Sequence, residues 1–119
     1  MEPAPELVSL VDKVLADVAA FDSSSANPLE WATRDPGLQF TGPDPDEWIT
    51  GYEQIVAVMS AQGAELRQAG GLRFAIDESY GWKEGSVGWV ICRGRTYVGD
   101  AEPLGSKLTV ILHEEGPYW

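Results

Sequence analysis

The sequence is short of cations. Against nineteen aspartates and glutamates it carries only eight lysines and arginines, a formal net charge of −11 at neutral pH. Neither a nucleic-acid backbone nor an anionic membrane is the expected partner, because both would repel such a chain. There is one cysteine, Cys92, which excludes an internal disulfide and a cysteine-based metal site. There is one histidine, His113, so no histidine pair or dyad can form. No apolar run approaches the roughly 20 residues that span a bilayer. The amino-terminal MEPAPELV has neither the basic region nor the apolar core of a signal peptide. No glycine-rich loop opens a helix: Gly70-Gly71 ends one instead, the wrong context for a phosphate or dinucleotide turn. These absences lead to the expectation of a soluble, reduced, cytoplasmic protein, with no metal and no cofactor called for.

What is present is a globular composition, 44% apolar over 119 residues, enough for one domain spanning the chain around a single core. The chain is organised around Thr41–Gly51, TGPDPDEWITG. Pro43, Pro45, Gly42 and Gly51 keep any regular element from running through it. Thr50 and Glu53 have the spacing of a capping box. Asp44, Asp46 and Glu47 lie near the positive end of the helix that follows, where capping and solvation account for them better than a cation site does.

Upstream, Leu7, Val11, Val14, Leu15 and Val18 fall at helical spacing and predict an amphipathic helix from about Pro5 to Phe21. Asn27, Pro28 and Glu30 signal a second, short helix, ended by Asp35-Pro36-Gly37. Leu38 to Thr41 suits a brief strand. Downstream, Tyr52, Ile55, Val56, Met59, Gly63 and Leu66 mark one face of a helix stopped by Gly70-Gly71. Strand alternation then takes over. Leu72, Phe74, Ile76, Tyr80 and Trp82 share one face of a first strand. Val87–Cys92 is apolar on both faces, as in a central strand, with Trp89 the best core candidate among the tryptophans. A further piece is expected around Arg95–Val98, and Leu104–Glu114 forms the last long strand. Helices followed by hairpin-linked strands predict an α+β fold with an antiparallel sheet.

That order of elements resembles the nuclear transport factor 2-like superfamily, and within it the SnoaL-like branch. The likeness is carried by Gly42–Gly51 (GPDPDEWITG) before the long helix, Glu84–Val90 (EGSVGWV) entering a central strand, and Leu108–Trp119 (LTVILHEEGPYW). It covers nearly the whole chain. It implies a cystatin-like cone, with N-terminal helices packed in the concave face of a curved antiparallel sheet and the final strand cut short. It also implies a pocket between sheet and helices, and dimerisation through the sheet's outer face. Members include isomerases, cyclases, dehydratases, hydrolases and non-catalytic binders. The isomerase pattern is missing, however. The strand before the long helix offers Gln39, Phe40 and Thr41 in place of a carboxylate. The first helix has no tyrosine, and Thr109 stands where the second acid would be.

Two residues are candidates for acid–base chemistry. Glu78 lies between Ile76 and Tyr80 on an apolar strand face. In a pocket its pKa would rise; a β-bulge would instead turn it outward. His113 could act as an acid or base on the last strand, or be a partly exposed sheet residue. A Cys92–His113 site would require their strands to pair in a suitable register. Trp31, Trp48, Tyr52, Met59 and Tyr80 are the candidates to line a pocket for a small, mostly apolar ligand. The leading expectation is therefore a small-ligand binder with room for a lyase, isomerase or hydrolase step. The competing one is a non-catalytic interaction module, acting as a homodimer or a docking subunit. Val90 and Cys92 oppose Val87, Trp89 and Ile91 on a sheet with helices on one side only, so its outer face needs a cover.

Overall fold

The computed structural model describes residues 1–19, 32–42, 45–116 and 119. The short helix expected after Asn27 falls outside that set, as do Trp31, Pro43 and Asp44. The element order is β1 (Glu2–Pro3), α1 (Pro5–Ala19), β2 (Gln39–Thr41), β3 (Trp48–Thr50), α2 (Tyr52–Gln68), β4 (Leu72–Glu84), β5 (Val87–Val98) and β6 (Leu104–His113). The four strands β1-β4-β5-β6 form one curved antiparallel sheet, and β2-β3 form a separate hairpin. This is the expected α+β architecture.

Helix α1 starts where the sequence signals it, with Pro5 at the first helical position and Glu6 in the first turn. Its entry is fixed to the sheet: the Ala4 amide donates to the Gly81 carbonyl at 2.9 Å. From there Leu7 and Val11, one helical turn apart, drop onto Val90. Val8, Leu15, Val110, Leu112 and Trp119 pack around this nucleus. The backbones approach closely because β4 and β5 are notched by glycine. A Cβ on Gly81 would sit 2.6 Å from the Ala4 carbonyl oxygen, and one on Gly88 would collide with Leu7 Cδ1. Burying each of Leu7, Val11 and Val90 contributes about 1.5–3 kcal/mol. Lys83 reaches α1 from the same sheet face and pairs with Glu6 at 2.8 Å. The pairing raises the lysine pKa and lowers the glutamate's.

Helix α2 is built on a second cluster. Ile55 and Ala32 are its buried members, with Leu38, Ile49, Tyr52, Val56 and Met59 against them. Its chief partners are therefore β2 and β3, whereas α1 lies on β4 and β5. The loop expected from Thr41 to Gly51 gives up its last residues to strand β3, and Trp48, Ile49 and Thr50 pair with Thr41, Phe40 and Gln39. The capping box also gives way. The residue at the helix entrance is Gly51 at φ 89°, with no side-chain cap, a backbone state that Thr50 could not take without strain. The far end of α2 is tied to the β5–β6 turn, where the Gly99 amide donates to the Gly71 carbonyl at 2.9 Å.

The β4–β5 ladder corrects the expected face assignment. Ile76 faces Gly94 and Glu78 faces Arg93, so Asp77 is an extra residue in a bulge. One extra residue flips every side chain beyond it. Leu72, Phe74 and Ile76 therefore share the inner, α1-side face, while Glu78, Tyr80 and Trp82 share the outer one. Strand β5 continues unbroken through Gly94, so the piece expected around Arg95–Val98 is its second half.

Candidate functional site

Strand register assembles the outer face row by row, because residues directly opposite across antiparallel strands share a face. Trp82, Trp89 and Ile111 form one row; Tyr80, Ile91 and Thr109 form the next. On one side of these apolar rows lie Glu84, Val87 and His113. On the other lie Glu78, Arg93 and Lys107, then Arg95 beside the bulged Asp77, then Arg73 opposite Tyr97. Behind these rows the inner face is closed, with Val90 at 0% exposure, but the outer face is open. Ile111 is 76% exposed, Tyr80 57%, Ile91 48% and Val87 43%. Trp82 and Trp89 are half-buried against each other's strands, so Trp89 belongs to this face and not to the core.

The charged rows hold themselves in place. Arg93 Nη2 donates to Glu78 Oε1 at 2.5 Å, and the Tyr80 hydroxyl donates to the other oxygen of the same carboxylate at 3.3 Å. Arg95 Nη2 donates to Asp77 Oδ1 at 3.1 Å. Arg73 stacks on the Tyr97 ring at 4.1 Å from its centroid, and Arg95 lies 5.9 Å from the same ring. The Arg93 hydrogen bond, reinforced by its charge, holds the Glu78 pKa below the usual carboxylate value. This is the opposite of the upward shift that an apolar pocket would impose. Glu78 is an outward, paired anion, turned out by the bulge at Asp77.

The other candidates are dispersed. His113 is exposed at the end of β6, with Nε2 3.1 Å from Glu115 Oε1. The Thr33 hydroxyl donates to that same oxygen at 2.6 Å. Cys92 is buried on the inner face opposite Ser79 and Leu108. Burial, with the charge of Asp12 behind it, pushes its thiol pKa up. Cys92 and His113 therefore stand on opposite faces of the sheet, and no Cys–His pair forms. Tyr52 and Met59 do come together, in the α2 cluster, where Arg34 lies over the Tyr52 ring at 3.6 Å. Trp48 is on the opposite side of its hairpin from Ile49 and is 67% exposed. Tyr80 lies on the outer sheet face, outside the α2 cluster. Among the described residues, no group of three or more histidines, cysteines, aspartates or glutamates is placed to hold a metal ion. None of the described helices is long and apolar enough to cross a membrane.

The sequence singles out Glu78 and His113 for chemistry and Tyr80 for a pocket, and all three share this face. The spacing places Val87, Trp89 and Ile91 on the face that needs a cover but does not assign Trp82 or Ile111 to it, and Arg93 and Arg95 carry no motif. The available signal was the apolar character of both sides of Val87–Cys92 in a sheet flanked by helices on one side. Compared with protein-family models, curated proteins and solved structures, the chain finds no match in any of the three.

Proposed function

We propose that the protein is an interaction module whose working surface is the outer face of the sheet, and that its partner is a second copy of itself. The observation carrying this reading is the apolar double row Trp82–Trp89–Ile111 and Tyr80–Ile91–Thr109, left open behind the buried inner-face residues Val90 and Cys92. Contiguous apolar patches of this kind on soluble proteins mark interaction sites, and aromatic side chains are the ones that anchor them. Size supports the reading. Strand β4 has 13 residues, so at ~3.3 Å per residue and ~4.8 Å between strands three strands present on the order of 600 Å². A standard interface takes about 800 Å² from each partner. The order of elements supports membership of the nuclear transport factor 2-like superfamily, in which the outer sheet face is a dimer surface by resemblance. The chain would then be one domain of cytoplasmic type. Static light scattering over about 1 to 100 µM is the test. A mass rising to twice that of the chain is expected, and a constant monomer mass would refute the proposal.

A small-ligand role keeps one supporting observation. On the inner face, beyond the part covered by Leu7 and Val11, Ile76 and Leu104 remain exposed, and Phe74 shares the row of Leu104 across Thr96. Binding of an apolar probe dye to the native protein, lost in an Ile76→Lys variant but kept when the outer face is altered, would place a ligand there. Equal binding by both variants would remove this reading.

A further inference from the structure

Beyond the apolar rows, the outer face gathers four of the chain's eight lysines and arginines. Arg93 and Lys107 stand directly opposite each other across β5 and β6. Arg95, one row further, is the diagonal neighbour of both Lys107 and Arg73. Like charges placed opposite in a ladder are destabilising, and a chain with nineteen acids has the means to avoid it. Yet neither β5 nor β6 contains an acid. Asp77 and Glu78 on β4 pair with Arg95 and Arg93. Among the described residues, no carboxylate pairs with Arg73 or Lys107, not even Asp100 or Glu102 in the turn beyond. These cations also border an open place. The cross-strand neighbours of Arg95 are Ala75 and Gly105, and a Cβ built on Gly105 would meet nothing within 4 Å. The surface is therefore low over Gly105, with Arg95 across from it and Lys107 next along the same face. Arg95 is steadied by Asp77 and lies, with Arg73, against the Tyr97 ring. Asp77 engages one end of its guanidinium, and the fork has further donors for a ligand.

We infer that this notch is a binding site for a small phosphate monoester, its phosphoryl group seated over Gly105 between Arg95 and Lys107. The inference draws on the charged rows and not on self-association. A phosphate monoester carries about −1.5 to −2 charges at pH 7, which suits a cluster where Arg73 and Lys107 both lack an anion. A carboxylate would neutralise only one of them. Guanidinium forks and lysine ammonium groups are the side chains that bind phosphate oxygens best. The surroundings also select for size. The further charges of a polyanion would lie over an acidic chain, with Glu84 and Glu115 toward the other end of this face. A single phosphoryl group is screened by salt from charges more than roughly 8 Å away, so the local cations decide its binding.

The test is an NMR titration of the isotope-labelled protein with methyl phosphate, set beside sodium chloride at the same ionic strength. Saturable shifts centred on the Arg95, Gly105 and Lys107 amides are expected with methyl phosphate and not with chloride, half complete on the order of 1 mM. Two variants separate a shaped site from a diffuse attraction. Lys107→Gln removes one ligating charge, and affinity should fall about tenfold. Gly105→Val changes no charge but fills the notch, and should weaken binding by about tenfold or more. Valine suits a strand position with open space above it, and the amide spectrum of each variant reports whether it is folded. Wild-type shifts no different from those in chloride would overturn the proposal. Wild-type affinity in folded Gly105→Val would overturn it too, because the attraction would then be general and not seated in the notch. Wild-type affinity in Lys107→Gln would remove the lysine from the site and the proposal with it.

Discussion

Strand β5 has two apolar faces that differ in what covers them. On the inner side, Val90 and Cys92 lie beneath α1, brought within contact by Gly81 and Gly88. On the outer side, Trp89 and Ile91 stand beside their cross-strand neighbours, and Ile91 is 48% exposed. The difference shows that apolar character alone does not say where a core is. The inner face is a core because a helix with matching spacing reaches it; the outer face has the same chemistry and no element of the described chain above it. A sheet built this way is held through one face and leaves the other open.

The contrast is broken most forcefully on the inner side. Leu7→Ala removes the side chain that fills the notch at Gly88, and should lower the unfolding free energy by roughly 3 kcal/mol in urea denaturation. A loss below about 0.5 kcal/mol, the usual range for a surface position, would mean that α1 is not the cover it is taken to be. The matching change on the outer side, Ile91→Lys, should alter the stability of the monomer by no more than about 0.5 kcal/mol. Loss of folding in that variant would make the outer face part of the core and erase the distinction between the two faces.

Cys92 sharpens the comparison by chemistry. Its burial and raised pKa keep it from the thiolate form, so an aromatic disulfide reagent should label the native protein at least about tenfold more slowly than the urea-unfolded chain. Equal rates would show that the inner face is open. The smallest effect concerns the outer charged row. Arg93 lowers the Glu78 pKa in the folded state. The pair therefore stabilises fully above the unfolded pKa and loses that contribution as pH falls through the folded value. In Glu78→Gln, the decline in stability on acidification below about pH 4.5 should be slightly shallower than in the wild type. The effect is small because both partners are solvent-screened. A steeper decline in the variant would mean that the pairing does not set this titration.

Much of this architecture was legible in the sequence. The amphipathic spacing of Leu7, Val11 and Leu15 gave α1, Gly70-Gly71 gave the end of α2, and alternation gave the strands. The open outer face followed from apolar residues on both sides of Val87–Cys92 with helices on one side only. What failed did so at single residues. Periodicity counts positions, and the bulge at Asp77 adds one, so Tyr80 and Trp82 leave the face of Ile76, while Glu78 takes the outward course that a bulge was expected to give it, across from Arg93. The capping-box spacing of Thr50 and Glu53 competed with Gly51, whose positive φ turns the chain into α2 directly. The pocket candidates were chosen residue by residue, whereas a pocket is a property of tertiary arrangement. Tyr52 and Met59 share a cluster, but Trp48 and Tyr80 lie on other surfaces.

The measurement that bears most directly on the outer face is sedimentation equilibrium of the wild type beside Ile91→Lys at matched concentrations. A wild-type dimer and a folded, monomeric variant are predicted, since a lysine placed in the apolar rows cannot be buried against a second copy without a partner charge. The same mass for both proteins, whether monomer or dimer, would contradict the assignment of that face as the contact surface.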